Sequence, residues 1–273
     1  MIVEYHRPET LEQALALLAR TTPRTLPMGG GTVLSRVQAA GDYAVVDLQA
    51  VGLGQIEAEG QLLGIGATVT LQQMVEYESW PEGLRAALLE SLEKEMALNL
   101  RNSATLGGTV MSADGRSPLV TTLLALDPRV EWVAFGRTET ESTPLGDFLL
   151  LQRKESSGGR LITGLRLPVN QTLRFAQVAR APLDRPVVCA AVARWPSGRT
   201  RVTLGGWGSA PVLAMDGPEP AGAMVSASEA YRAAGDEWAS AAYRMDVAGK
   251  LVKRLALEVA GVAIVPDNEP AAE

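Results

Sequence analysis

The residues best suited to chemistry in this chain are glycines. Gly29, Gly30 and Gly31 stand in the run PMGGGTVL, and Gly107 and Gly108 stand in LRNSATLGGTVMSAD, about 78 residues further on. A residue without a Cβ takes positive φ and lets backbone amides come close to an anion. Successive N–H groups then make a nest for phosphate, reinforced where a helix N-terminus follows. Either run alone is equally a tight strand–helix turn. The first lacks the G-x-G-x-x-G spacing, and no GK[ST] occurs anywhere in the chain. Two such loops together can straddle one pyrophosphate.

Other chemistries lack their residues. Cys189 is the single cysteine, set in the apolar run VVCAAVA, and reads as a small buried hydrophobe on a strand. One thiol builds no disulfide, zinc site or iron–sulfur cluster. His6 is the single histidine, which excludes a multi-histidine metal site and leaves a Ser–His–Asp triad without support. Catalysis by this chain therefore calls for a bound cofactor. With 25 basic and 31 acidic residues the net charge is −6, and no basic face suggests nucleic acid. The 273 residues are 47% hydrophobic and 21% charged, which is globular composition with material for a sizeable core. No apolar run spans a bilayer and the first residues do not form a signal peptide, so a cytoplasmic protein is expected.

The glycine loops need elements to hold them. Ile2–Tyr5 is predicted as a strand. Thr10–Arg20 is predicted as a helix, from the Thr10/Gln13 capping spacing and from Leu11, Leu15 and Leu18 at helical intervals. Gly29–Gly31 fall between an extended piece and a short helix. Strands are predicted over Tyr43–Leu48 and Leu62–Gly66, then helices opening near Thr70 and running from Gly83 to Leu98 into the second loop. A further helix closes near Asp127, followed by strands over Val130–Phe135 and Leu161–Val169. Past residue 170 the texture changes. VVCAAVARW and RVTLGGWG make two strands around Pro196–Ser197–Gly198, Ala214–Ser226 reads as a connection, two helices follow, and the tail from Pro266 frays.

In this order the motifs resemble the flavin-binding (medium) subunit of the molybdenum hydroxylases, the family of carbon monoxide dehydrogenase and xanthine dehydrogenase. The strings that carry the likeness are PMGGGTVL, LGIGATVTLQQM, LRNSATLGGTVMSAD, LLALDP, DRPVVCAAVARW, VTLGGWGSAPV and AAYRMDVAGKLVKRLAL, which together cover nearly the whole chain. The resemblance implies an α+β fold: an FAD-binding domain over residues 1–169, in two subdomains of about 1–56 and 57–169, then a small α+β domain with a sheet and helix bundle over 170–273. It implies FAD held by the first loop, Pro27, Met28, Gly29, Gly30, Gly31, Thr32, Val33 and Leu34. The second loop contributes Thr105, Leu106, Gly107, Gly108, Thr109, Ser112 and Asp114. Arg101 and Asn102 match the family's RN pair, whose expected role is to fix that loop. Leu161 and Ile162 align with the segment against the flavin ring, and Gln177 with the stretch opening the C-terminal domain.

The implied function is electron transfer. Substrate is oxidised at a molybdopterin centre on a large subunit, and electrons pass through two [2Fe–2S] clusters of a small subunit to FAD here. NAD⁺, a quinone or another acceptor then takes them. Several positions depart from the family pattern. Thr109 and Ser112 stand where it has asparagines, Gly115 where it has proline, Pro118 where it has aspartate, and Gln177 where it has lysine. Each lost hydrogen bond is worth about 0.5–1.5 kcal/mol, so the departures point to weaker FAD binding, while backbone amides, which need no particular side chain, leave a retained FAD as the expectation. A flavin-free assembly subunit with a degenerate pocket is the alternative.

Overall fold

The computed structural model describes residues 1–34, 41–154, 159–182 and 184–262. The short helix expected after Gly31 and the tail from Pro266 lie outside the described residues. The elements fall into three sheets. β1 (Ile2–His6), β3 (Tyr43–Asp47) and β2 (Arg24–Met28) form a small parallel sheet in the order β1-β3-β2. Helix α1 (Leu11–Leu18) packs on it through Ala14, Leu15 and Leu18. Its N-cap is Thr10, whose Oγ1 accepts from the Gln13 amide at 3.2 Å, while Gln13 Oε1 accepts from Glu9 N at 3.1 Å. The reciprocal cap is therefore displaced by one residue.

The second sheet is antiparallel. Its order is β4 (Ile56–Glu59), β5 (Leu62–Gly66), β8 (Arg160–Pro168), β6 (Arg129–Ala134) and β7 (Thr140–Pro144). Five of the helices lie between or beside its strands: α2 (Leu71–Glu76), α3 (Glu82–Glu95), α4 (Leu98–Arg101), α5 (Leu106–Ser112) and α6 (Pro118–Leu126). Thr70 and Gln73 make a full capping box for α2, at 2.8 and 3.1 Å. Helix α7 (Leu145–Lys154) follows β7.

The third sheet runs β12 (Val212–Gly217), β11 (Thr200–Gly205), β10 (Val188–Arg194), β9 (Thr172–Val178), all antiparallel. One face is covered by α8 (Ala223–Ala230) and α9 (Ala241–Val259), the other by α3 and α6. One core cluster accordingly contains both Leu88 and Leu119 of the first part and Phe175, Cys189 and Ala191 of the third sheet.

The segment Ala214–Ser226 is not a plain connection. Its start belongs to β12 and its end to α8. β12 escapes a pattern reading because it is an edge strand, partly exposed along most of its length, with its register against β11 shifted at Val202/Thr203. β7, sequence TESTP, is an edge strand for the same reason.

Candidate functional site: a cleft between two glycine loops

β2 ends at Met28, and the chain turns away from the sheet through Gly29, Gly30 and Gly31, the last at φ +70°. The turn runs directly onto the second loop. A Cβ on Gly30 would lie 1.5 Å from the Ser103 carbonyl oxygen, and one on Gly29 would lie 2.4 Å from Thr105 Oγ1. Only glycine permits that approach. The two loops therefore face and touch each other.

The second loop is itself pinned to the end of β5. Leu106 N donates to Val69 O at 2.8 Å and Gly107 N to Ala67 O at 2.9 Å, while Thr105 Oγ1 caps α5 by accepting from Gly108 N at 3.3 Å. Its amides are thus largely spent on holding its own shape. The first loop differs. Among the described residues, nothing accepts a hydrogen bond from the amides of Gly29, Gly30 or Gly31. Three successive unspent N–H groups beside a positive-φ glycine are suited to an anion.

Between the loops lies a cleft of about 230 Å³, lined along the first loop by Pro27, Met28, Gly29, Gly30, Gly31, Thr32, Val33 and Leu34. Thr105, Gly107, Gly108, Met111 and Ser112 line it from the second, and Arg160, Leu161 and Ile162 from the start of β8. Leu48, Ala67 and Thr68 complete it. The volume lies below the about 300–1,000 Å³ usual for a whole ligand cavity, so it suits the narrow linking part of a dinucleotide. Ser112 Oγ donates to Gly108 O at 2.8 Å, which leaves its oxygen free only to accept.

Six residues implied by the resemblance lie outside this cleft. Leu106 and Thr109 point into the core, and Thr109 Oγ1 is buried without a partner. Arg101 bonds Gln72 Oε1 at 3.2 Å and Met96 O at 3.0 Å, tying α4 to its neighbours, and Asn102 ends α4. Asp114 turns to the segment between β9 and β10, where it pairs with Arg185, and it accepts from Arg116 N at 2.8 Å. Gln177 is opposite Cys189 in the β9–β10 ladder, its Oε1 buried and unpartnered. Pro118 occupies the first turn of α6, where its missing N–H is no loss. The cleft also contains residues that the motifs did not suggest: Leu48, Ala67, Thr68, Met111 and Arg160. Ala67 and Thr68 stand in the quoted string LGIGATVTLQQM, and the strand-end position just before the α2 cap was the available signal.

The other titratable groups do not suggest a reaction centre. Burial pushes the Cys189 thiol up to about 12, so it stays protonated, with Thr121 Oγ1 at 3.6 Å. No group of three or more metal-ligating side chains gathers among the described residues. No helix among them is long and apolar enough to cross a membrane.

The profile of one family, described as the FAD binding domain in molybdopterin dehydrogenase, matches residues 1–170, and the chain belongs to that family. The uncharacterized protein YgfM of Escherichia coli (strain K12) is 30% identical over 208 residues, 76% of this chain and 75% of that protein. The carbon monoxide dehydrogenase medium chain of Afipia carboxidovorans is 25% identical over 285 residues, covering 92% and 94% of the two chains. Among solved structures, the cyanide-inactivated Cu,Mo-CO dehydrogenase shares the fold with a TM-score of 0.76 at 22% identity, over 96% of this chain and 99% of that one. Quinoline 2-oxidoreductase from Pseudomonas putida 86 does so with a TM-score of 0.75 at 21% identity, over 94% and 96%. The α+β fold is thus that of the CO dehydrogenase medium subunit.

Proposed function

We propose that this chain is the FAD-carrying electron-transfer subunit of a cytoplasmic molybdenum hydroxylase complex. The observation that carries the reading is the first glycine loop, pressed against the second with three amides unspent at the mouth of a cleft. When bound, FAD supplies the ability to take electrons singly or in pairs and to hand them on. The chain's own residues do the positioning. The N–H groups of Gly29, Gly30 and Gly31 hold the diphosphate, while Met28, Val33, Met111, Leu161 and Ile162 supply apolar walls that exclude water. We divide the chain into subdomains of about 1–56 and 57–169 that clasp the cofactor and a C-terminal domain of 170–273.

The departures from the family pattern at Thr109, Pro118 and Gln177 argue little against FAD, because none of them lines the cleft. Its donors are backbone amides, which those side-chain changes leave in place. A single cysteine carries no cluster. The reading therefore requires a [2Fe–2S] small subunit and a molybdopterin-binding large subunit as partners, with NAD⁺ or a quinone as acceptor.

The test is an absorbance spectrum of gently purified protein with the released cofactor identified by mass. Bands at roughly 370 and 450 nm from bound FAD are expected. A colourless protein that ignores added FAD would overturn the reading in favour of a flavin-free assembly subunit.

A further inference from the structure

Of the apolar side chains that wall the cleft, the thioethers alone can be turned polar by peroxide. Met28 lines it from the first loop and Met111 from the second. The chain has eight methionines, of which Met1, Met224 and Met111 are exposed, at 80%, 45% and 43%. Met111 is the one of these three that lines the cleft. Met28 is half-buried, and Met74 has no exposed surface. Gln152 Nε2, on α7, donates to Met111 Sδ at 2.7 Å. That contact fixes the thioether at the wall and leaves the sulfur's other lone pair open to an incoming oxygen.

We propose that Met111 is a reversible oxidation site, through which hydrogen peroxide loosens the cleft's hold on its cofactor. The open lone pair of Sδ attacks one peroxide oxygen, the O–O bond breaks and an S–O bond forms. The other oxygen leaves as water with both protons, so the thioether is oxidised and the peroxide reduced by two electrons. Peroxide arises where dioxygen takes two electrons and two protons from a reduced flavin. The oxidant is then made beside its target, a source that rests on the FAD reading above. The sulfoxide puts a strong acceptor among walls that otherwise exclude water, and a ligand seated there must bury it. In a cleft of about 230 Å³ little space remains for a water to satisfy that oxygen. A flavin that leaks electrons to dioxygen thereby loses its seat.

The test treats the full-length chain with graded hydrogen peroxide, maps oxidation by peptide mass, and then titrates FAD by flavin fluorescence. The tryptic peptide of residues 102–116 contains Met111 and no other methionine, so one added oxygen there reports the site. Met111 is expected to oxidise at least roughly tenfold faster than Met74. FAD affinity is expected to fall at least roughly tenfold with it, and methionine sulfoxide reductase to restore it. With each protein compared with its own untreated sample, Met111→Leu is expected to show no peroxide-dependent loss. Met224→Leu is expected to lose affinity as the wild type does. Met111 left reduced while Met1 and Met224 oxidise overturns the inference. So does Met111 sulfoxide with unchanged FAD affinity, or a loss that persists in Met111→Leu. A chain that takes no FAD before treatment overturns the FAD reading and the loss of hold with it, while peptide mass still decides the oxidation site.

Discussion

At Gly30 one missing carbon atom decides whether two loops can meet. Gly30→Ala places a Cβ inside the van der Waals radius of the Ser103 carbonyl oxygen, and a backbone atom cannot rotate aside. The loops must part, with a stability loss of about 1–3 kcal/mol as for other overpacked sites. FAD affinity should fall at least 100-fold, read by flavin fluorescence titration beside a thermal melt. Arg244 is the opposite case, a large cation with no exposed surface. Its guanidinium donates to the carbonyls of Val187 at 3.0 Å, Ala234 at 2.6 Å and Ala239 at 3.0 Å, and reaches both carboxylate oxygens of Asp236 at 2.9 Å. Arg244→Met strands those acceptors and should cost about 3–5 kcal/mol in urea unfolding. Both residues are visible in the sequence, Gly30 as a glycine and Arg244 within the AAYR string. Their partners are not visible: Ser103 and Val187 lie more than fifty positions away, and nothing local encodes the approach. That Thr109 and Gln177 lie outside the cleft has the same root, since a motif fixes which residue stands at a position but not the side to which its element turns it.

Elements with chemical punctuation were legible from the chain. α1 and α2 announce themselves through Thr10 and Thr70, whose caps fix where each begins, whereas α6 was legible at its end near Asp127 and not at its Ser117–Pro118 start. The edge strands β7 and β12 carry no alternation, because partial exposure on both faces removes the pressure for an apolar one. The link between α3 and α6 is a matter of elements too. Glu95 ends α3 and tucks its carboxylate tip beneath the start of α6, accepting from Ser117 Oγ at 2.8 Å and Leu119 N at 2.9 Å. Burial raises its pKa above the ordinary carboxyl range, although those two donors pull it down. A folded pKa above the unfolded one means that folding favours the protonated acid. The contribution of Glu95 therefore improves as pH falls through the folded value towards the unfolded one, and is poorest when the group is ionised. Glu95→Gln keeps an acceptor oxygen without the charge. Its stability relative to wild type should be greatest at the alkaline end, where Glu95 is ionised, and decline as pH falls towards the ordinary carboxyl range, measured as paired melting curves. A pH-independent difference would refute the assignment.

At the scale of the whole molecule, the texture change near residue 170 was legible, and the interface across it was not. α3 and α6 of the first part cover one face of the third sheet, and all nine residues of α6 are buried. A fragment of residues 1–170 would uncover Leu88, Leu119 and their neighbours, which pack with Phe175, Cys189 and Ala191 in one cluster. It should bind a hydrophobic dye and lack a cooperative melt, whereas the full chain melts sharply with little dye bound; a well-folded fragment would contradict this. Nor does the second loop stand apart from the third sheet. Gly115 N donates to Gly208 O at 2.9 Å and Gly206 N to Gly115 O at 2.6 Å, just beyond the segment that follows α5. The shared core also orders events during synthesis. α6 leaves the ribosome about 60 residues ahead of β10, the strand that will cover it. At the about 5–20 residues per second of translation, that face stays open for several seconds. A newborn chain is thus stickiest midway through its making, when a chaperone that shields apolar helices would have the most to hold.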